Sequence, residues 1–207
     1  MRRIIGSAFL SLDGVMQAPG GTEEDEGGHF ALGGWTWPHS DAVTREATGR
    51  LLSASYDLLL GRKTYDIFAR FWPEYDPAGP AAEVARRFNA AAKYVVTGSD
   101  APLAWRNSHA IGGDIAARVA EIKAGDGPDL FIQGSSTLYP QLFAAGLIDR
   151  VTLLTFPVVL GGGKRLFGDG TPPFALRLVD HVVSTTGVVI ATYEPAGPVP
   201  TAGPPGR

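Results

Sequence analysis

The sequence has no cysteine among its 207 residues. Disulfides, thiolate metal sites and cysteine nucleophiles are therefore excluded, which fits the reducing cytoplasm, the location we expect. Histidine is also scarce, with four residues scattered along the chain, and no His-Glu-x-x-His arrangement occurs, so we expect no metal site. Ser7, Ser11 and Asp13 interrupt the apolar N-terminus. Neither a signal peptide nor a membrane-spanning segment, and hence no membrane partner, is expected.

A strong charge of either sign is lacking too. The formal net charge is -3, so the surface as a whole does not favour nucleic acid, and any anion site must be local. With 44% hydrophobic and 19% charged residues, the composition is that of a globular protein. Because no linker or repeat interrupts it, we expect one domain over residues 1–194. Residues 195–207 are rich in proline and glycine and are expected to form a flexible tail.

Predicted strands and helices alternate through most of the chain. Apolar strands such as "YDLLLG" and "DLFIQG" precede helical segments, which is typical of a mostly parallel sheet covered by helices on both faces. Ser40 is the expected N-cap of the first helix and Asp114 that of a later one. The segment "LRLVDHVVSTTGVVIATYE" predicts a C-terminal antiparallel hairpin turning near Gly187. The fold class is therefore α/β with a mixed sheet.

Three predicted strand-to-helix junctions combine glycine with hydroxyl groups. Ligands of parallel sheets bind beyond the carboxyl ends of the strands, where free N–H groups at helix starts attract anions. A single serine or threonine at such a place is usually only a helix cap, but three junctions on one edge, one with two cations, favour a polyphosphate ligand such as a dinucleotide. Neither Gly-x-Gly-x-x-Gly nor a P-loop occurs. The junctions are Gly61-Arg62-Lys63-Thr64, Thr97-Gly98-Ser99 and Gly134-Ser135-Ser136-Thr137.

Four stretches together resemble a known family. They are "SLDGVMQAPGG", "LLLGRKTYDIF", "YVVTGSD" and the long segment from "LFIQGSSTLYPQLF" to "GGGKRLF". In order and spacing they are similar to the dihydrofolate reductase-like superfamily, and within it to the group related to the reductase domain of riboflavin biosynthesis. The resemblance covers roughly residues 2–194. It implies a mixed, mostly parallel sheet that binds NADPH across its carboxyl edge.

The resemblance also implies roles for particular residues. Arg62, helped by Ser99, would face the 2′-phosphate and select NADPH over NADH; its alternative is a surface pair with Asp66, four residues on. In the superfamily a Gly-Gly bond before the pyrophosphate helix is cis, and the matching bond here is Gln133-Gly134. The complete set implied for the cofactor is Ala8, Gly14, Met16, Gln17, Gly61, Arg62, Lys63, Thr64, Thr97, Gly98, Ser99, Gly134, Ser135, Ser136, Thr137 and Leu138.

The substrate side rests on two acids and an aromatic group. Asp13 ends the first strand beside the expected nicotinamide and is a candidate catalytic residue; equally, it is a turn residue before glycine. By the resemblance, Asp41 starts the helix that carries the folate-binding carboxylate in dihydrofolate reductases, but helix capping explains it at least as well. Several aromatic residues could form a wall against which a flat heterocycle stacks, but aromatic residues more often belong to the core. The candidate members of this wall are Phe30, Trp35, Trp37 and Trp72.

The function expected from these features is NADPH-dependent reduction of a small heterocyclic substrate, of the pyrimidine reductase type. Two alternatives stay open: dihydrofolate reduction, and a non-catalytic NADP-binding sensor whose acidic loop contacts a partner. The long predicted strand "DRVTLLTFPVVLG" contains Pro157, which argues against a doubly paired central position along its whole length. Together with the resemblance, this strand leads us to expect a homodimer formed partly by residues 154–167.

Overall fold

The computed structural model of the chain describes residues 1–168 and 170–202. None of the helices in this part of the chain combines the length and apolar character that crossing a bilayer requires. The strands are β1 (Ile4–Ser11), β2 (Tyr56–Gly61), β3 (Lys93–Val96), β4 (Ser108–Ile111), β5 (Asp129–Gln133), β6 (Arg150–Phe156), β7 (Leu176–Val183) and β8 (Val189–Pro195). The helices are α1 (Ala42–Ser53), α2 (Arg62–Phe71), α3 (Ala82–Ala90), α4 (Ile115–Ala124) and α5 (Leu138–Ala144).

The eight strands form one sheet in the order β4-β3-β2-β5-β1-β6-β8-β7. The six strands from β4 to β6 are parallel, while β8 runs antiparallel between β6 and β7. The predicted C-terminal hairpin is thus confirmed, and Gly187 turns it with a φ of 85°. All six parallel strands end at one edge, which we call the carboxyl edge.

The core lies on both faces of the sheet because successive strand residues point to opposite sides. Leu59 contributes to the cluster that α4 and α5 cover, whereas its neighbours Leu58 and Leu60 pack beneath α2 and α3. All three leucines are fully buried. The predicted mixed α/β sheet with helices on both faces is confirmed.

Three local expectations are corrected. The N-cap of α1 is Asp41, not Ser40, because Asp41 and Thr44 form a reciprocal capping box. The strand predicted to continue through Pro157 ends at Phe156, since proline cannot donate to a ladder. At the C-terminus the sheet runs past residue 194: Ala175 N–H donates to Gly197 O and Ala196 N–H donates to Ala175 O, both at 2.8 Å. The rest of the expected tail, residues 203–207, lies outside the described residues.

Candidate active site

The three predicted junctions come together at the carboxyl edge. Strand β2 lies between β3 and β5, and it pairs in parallel with both. The turns that follow these strands are therefore neighbours. Chain order alone did not establish this, because β2 and β5 are more than 60 residues apart.

One serine joins two of these junctions. Gly61 N–H donates to Ser135 Oγ at 2.9 Å, and Ser135 Oγ donates to Thr64 Oγ1 at 3.0 Å. The expected cis bond between Gln133 and Gly134 is wrong, because the described residues contain no cis peptide. The chain instead turns through two successive left-handed residues, with φ of 72° at Gly134 and 66° at Ser135.

The side chain of Arg62, the first residue of α2, reaches the turn that follows β3. Its Nε donates to both carboxylate oxygens of Asp66, at 2.9 and 3.1 Å, and its Nη1 donates to Ala101 O at 3.0 Å. The same turn is closed by Ser99 N–H donating to Thr97 Oγ1 and by Ala101 N–H donating to Ser99 Oγ. The pairing with Asp66 is therefore present, and the guanidinium is also held against the turn that carries Ser99.

The remaining residues of these junctions are more open. No heavy atom lies within 4 Å of the place where a Cβ on Gly98 would stand, so the backbone there can be approached closely. Helix α5 begins at Leu138 after Thr137, which is exposed, and Ser136 is half-buried. Leu138 itself is buried in the core, and its backbone N–H donates to Ser135 O at 2.9 Å.

The Lys63 side chain contacts the acidic loop, although most of its surface is exposed. The loop between β1 and α1, residues 17–39, carries Asp25, whose carboxylate is 8% exposed. Asp25 Oδ1 lies 3.1 Å from Lys63 Nζ, and Oδ2 lies 2.5 Å from Lys164 Nζ. Burial raises the pKa of Asp25, but the hydrogen bonds from Lys164 and Lys63 outweigh that effect and lower the pKa below its ordinary value.

The candidates near the end of β1 are mostly internal. Ala8 and Met16 are buried in the core cluster under α5. Gln17 is also buried and acts as a loop anchor: its Nε2 donates to Asp25 O at 2.9 Å, and its Oε1 accepts from Lys164 N–H at 3.0 Å. Gly14 has a φ of 80° with open space where a side chain would stand.

Asp13 connects the end of β1 to the segment after β6. Its carboxylate accepts from Ser11 Oγ at 2.6 Å and from the N–H groups of Leu160 and Gly161 at 3.1 and 2.9 Å. Arg165 Nε donates to Asp13 O at 3.0 Å. The Ser11 hydroxyl and these N–H groups lower the pKa of Asp13 to about 2. The side chain is thus ionised near neutral pH, which does not suit it for donating a proton.

Asp41 is fully engaged in local structure. Its Oδ1 accepts from Thr44 N–H at 2.8 Å, while its Oδ2 accepts from Thr185 N–H and Thr185 Oγ1 at 2.8 and 2.7 Å. The Thr44 N–H and the Thr185 groups hold the pKa of Asp41 far below its ordinary value. The geometry favours helix capping, the alternative that the sequence left open.

The predicted aromatic wall is divided. Phe30 and Trp35 are buried in the core cluster beneath α1, and Trp35 meets Phe156 edge-on at 5.4 Å. Trp37 is 66% exposed, and its Nε1 donates to Gly20 O at 2.7 Å. Phe30 and Trp35 therefore follow the ordinary core alternative, whereas Trp37 presents its ring on the loop surface.

The structure does not bring Trp72 to the carboxyl edge. This residue follows α2, and ten helical residues at about 1.5 Å each separate it from that edge. Its ring packs at 5.0 Å against Phe88 of α3, and Asn89 Nδ2 donates to Trp72 O. The length of α2 accounts for this position, because the helix carries the chain away from the carboxyl edge before it reaches Trp72.

Two grooves of about 480 and 410 Å³ lie near Asn89. They are at the opposite end of the sheet, where β3 and β4 begin. Parallel sheets bind ligands beyond their carboxyl ends, so we place the candidate site at the carboxyl edge.

Sequence reasoning missed three features of the site. Asp25 lies in the acidic loop that the sequence offered as a partner contact, and nothing local marked this residue as the partner of two lysines. Gln133 Oε1 is buried with no hydrogen-bond partner in the described residues. Phe9 and His39 surround Phe156, at ring distances of 6.0 and 6.1 Å. The strand pairing that places them together is not readable from the sequence.

Comparisons with solved structures define the fold. A candidate riboflavin biosynthesis protein from Shewanella sp. PV-4 matches with a TM-score of 0.67 at 20% identity, covering 94% of this chain and 99% of the other. A pyrimidine reductase-like protein from Corynebacterium diphtheriae gives 0.57 at 12%, covering 94% and 92%. Dihydrofolate reductase from Enterococcus faecalis, complexed with NADP(H), gives 0.56 at 14%, covering 93% and 96%. The fold is therefore dihydrofolate reductase-like.

The sequence comparison narrows this class to a family. The model of the RibD C-terminal domain matches residues 2–190, so the chain belongs to that family. A Bacillus subtilis (strain 168) protein called YyaP, whose function is not characterised, is 26% identical over 193 residues, covering 93% of this chain and 95% of the relative.

Proposed function

We propose that this protein is an NADPH-dependent reductase of a small heterocyclic substrate, of the pyrimidine reductase type. The observation that carries the proposal is the position of Arg62. Its guanidinium is held 3.0 Å from Ala101 O, in the turn that Ser99 closes. A cation and a hydroxyl group thus lie in neighbouring turns beyond the carboxyl ends of β2 and β3, a combination suited to binding a 2′-phosphate.

The neighbouring residues fit the rest of a dinucleotide. Gly98 leaves open space above its backbone, and Ser135 holds the turn after β5 against Gly61 and Thr64. In this proposal the turn from Gly134 to Leu138 receives the pyrophosphate, and Ala8 and the turn from Gly14 to Gln17 flank the nicotinamide. NADPH supplies a hydride when it is bound. Membership of the RibD C-terminal domain family and the likeness to an NADP(H)-binding dihydrofolate reductase support this assignment.

The substrate would lie on the face beneath α1 and α2. Gln133 follows Phe131 on that face, and in the strand register it neighbours Ser7 of β1. A buried amide oxygen without a partner costs about 1–3 kcal/mol, which an N–H group of a flat heterocycle would offset. Phe9 is half-buried near the same strand end and provides an apolar surface. Asp13 and Asp41 both have lowered pKa values, so the proposal assigns neither of them as a proton donor; Gln133 and Phe9 bind and orient the substrate.

The test is loss of absorbance at the NADPH band on mixing the protein with candidate substrates. We expect NADPH to be oxidised when the substrate is an aminopyrimidinone that carries a ribosylamino phosphate. With dihydrofolate we expect little or no oxidation of NADPH. The engagement of Asp41 by Thr44 and Thr185 is the reason for the second expectation. Rapid oxidation with dihydrofolate alone would instead establish the dihydrofolate reductase alternative. Tight NADPH binding without oxidation by either substrate would favour the non-catalytic sensor.

A further inference from the structure

Asp25 lies over the middle of the carboxyl edge. Lys63 is in the first turn of α2, directly after β2, and Lys164 follows β6. Strands β5 and β1 lie between β2 and β6, so these two strand ends span roughly 14 Å at the usual spacing. One carboxylate contacts both lysines, which places the 17–39 loop across the ends of β5 and β1.

Several hydrogen bonds hold Asp25 in its position between the two lysines. Asp25 is buried, at 8% exposure, although both lysines are well exposed, at 60% and 42%. Gly27 N–H donates to the same carboxylate at 3.0 Å, and Gln17 Nε2 donates to the backbone oxygen of Asp25 at 2.9 Å. The nearby acids Glu23 and Glu26 are exposed. Of the acids in this loop, Asp25 alone is fixed to lysines outside it within the described residues.

We propose that Asp25 is a latch, which holds the 17–39 loop across the carboxyl edge and competes with the phosphates of a bound dinucleotide for Lys63. The inference rests on the proposed function, because the phosphates are those of NADPH. A carboxylate and a phosphate near one ammonium group repel each other, and the repulsion is strong where water is partly excluded. Binding of the cofactor therefore weakens the Lys63–Asp25 contact and loosens the loop, whereas closure of the loop weakens cofactor binding.

The first measurement is ligand affinity. Asp25→Asn should bind NADPH and inorganic pyrophosphate about tenfold more tightly than the unmodified protein, the size of effect expected of one charged contact. Glu23→Gln and Glu26→Gln make the same change in net charge on the same loop and should stay within about twofold. Equal gains in all three variants would overturn the competition, because they would reflect net charge alone.

The second measurement is hydrogen exchange of the backbone at residues 17–27, which does not depend on catalysis. Asp25→Asn should exchange about tenfold faster there without any ligand, and Glu23→Gln should not. In the unmodified protein, saturating pyrophosphate should accelerate this exchange, whereas in Asp25→Asn it should add nothing. Unchanged exchange in Asp25→Asn would overturn the latch. If no variant bound NADPH, the proposed function would fall, while this ligand-free comparison would still decide the latch.

Lys164→Met provides a second variant that keeps the Asp25 charge. It should loosen the loop, since one anchor is lost, but it should tighten pyrophosphate binding much less than Asp25→Asn does, because the Asp25 carboxylate still competes for Lys63. A gain equal to that of Asp25→Asn would show that loop opening alone controls affinity and would overturn the competition.

Discussion

Arg62 illustrates how one side chain can satisfy a structural and a functional requirement. Its Nε contacts Asp66 and its Nη1 contacts the turn after β3, so the guanidinium is oriented by two elements at once. The ion pair with Asp66 is partly exposed, and pairs of this kind add little stability. The orientation that it provides is the more important consequence.

We predict that Arg62→Ala weakens NADPH binding by about ten- to a hundredfold, the loss expected for a charge-assisted contact of about 1.5–3 kcal/mol. NADH binding should change little, because NADH lacks the 2′-phosphate. Titration of both nucleotides checks the prediction, with Arg118→Ala on the exposed surface of α4 as the matched control. If Arg62→Ala retains the preference for NADPH, Arg62 does not contact the 2′-phosphate.

Asp13 should make the folded protein less stable as the pH falls below about 4. Its folded pKa, about 2, is below the unfolded value of about 3.9. The stabilisation is therefore complete above about pH 4 and is lost as the pH falls towards 2. The difference in Tm between the unmodified protein and Asp13→Asn should be constant from pH 5 to 7 and should shrink below about pH 4. Asp126→Asn, at an exposed turn, is the control; a difference that grew on acidification would contradict the expected sign.

At the scale of elements, helix starts were predictable where the cap is local. Asp114 caps α4 as expected, and its side chain accepts from Ala117 N–H. The start of α1 was misplaced by one residue because Ser40 and Asp41 are both good caps. Thr185, more than 140 residues away, bonds to Asp41, and no local pattern reveals that contact.

The turn after β5 is sensitive to substitution at Gly134. This glycine has a φ of 72°, and a Cβ there would stand 3.3 Å from Thr64 Cγ2. Gly134→Ala should therefore destabilise the protein by about 1–2 kcal/mol, the usual cost of a left-handed conformation. Urea unfolding measures it, with Gly98→Ala as the control at a site with open space; that control should shift stability by no more than about 0.5 kcal/mol. Equal effects would show that the conformation of Gly134 is not the cause.

At the scale of the whole molecule, the edge strand β7 carries a group of exposed apolar side chains. In the region expected to form a dimer contact, residues 154–167, Leu154 and Phe156 are buried and cannot reach a partner. The exposed apolar side chains of this region follow β6: Val159 is 70% exposed and Phe167 is 39% exposed. On β7 and β8, Val183 is 57% exposed and further apolar side chains share this exposure. Such a surface is commonly an interaction site.

We propose a homodimer that buries this surface. Sedimentation at micromolar concentration should give twice the chain mass of 21.8 kDa, and Val183→Lys should shift the mass towards a single chain, because a charge would be buried without a partner. Asp180→Lys is the control: it places lysine on the same strand at a position that is already polar, so it should disturb the dimer less. A single-chain mass for the unmodified protein would refute the dimer.

The sequence by itself determined the class of fold and the order of its elements, because alternating apolar strands, glycine turns and helix caps are local properties. It also identified the residues that follow β2, β3 and β5, since glycine, hydroxyl groups and Arg62 stand out at strand ends. Only the tertiary structure decided which of these residues meet. The contact of Ser135 with Gly61 depends on β5 pairing with β2, and the position of Asp25 depends on a loop that crosses two strands to reach two lysines. Contacts between distant segments depend on the register and packing of the whole sheet, and no short stretch of the chain encodes them.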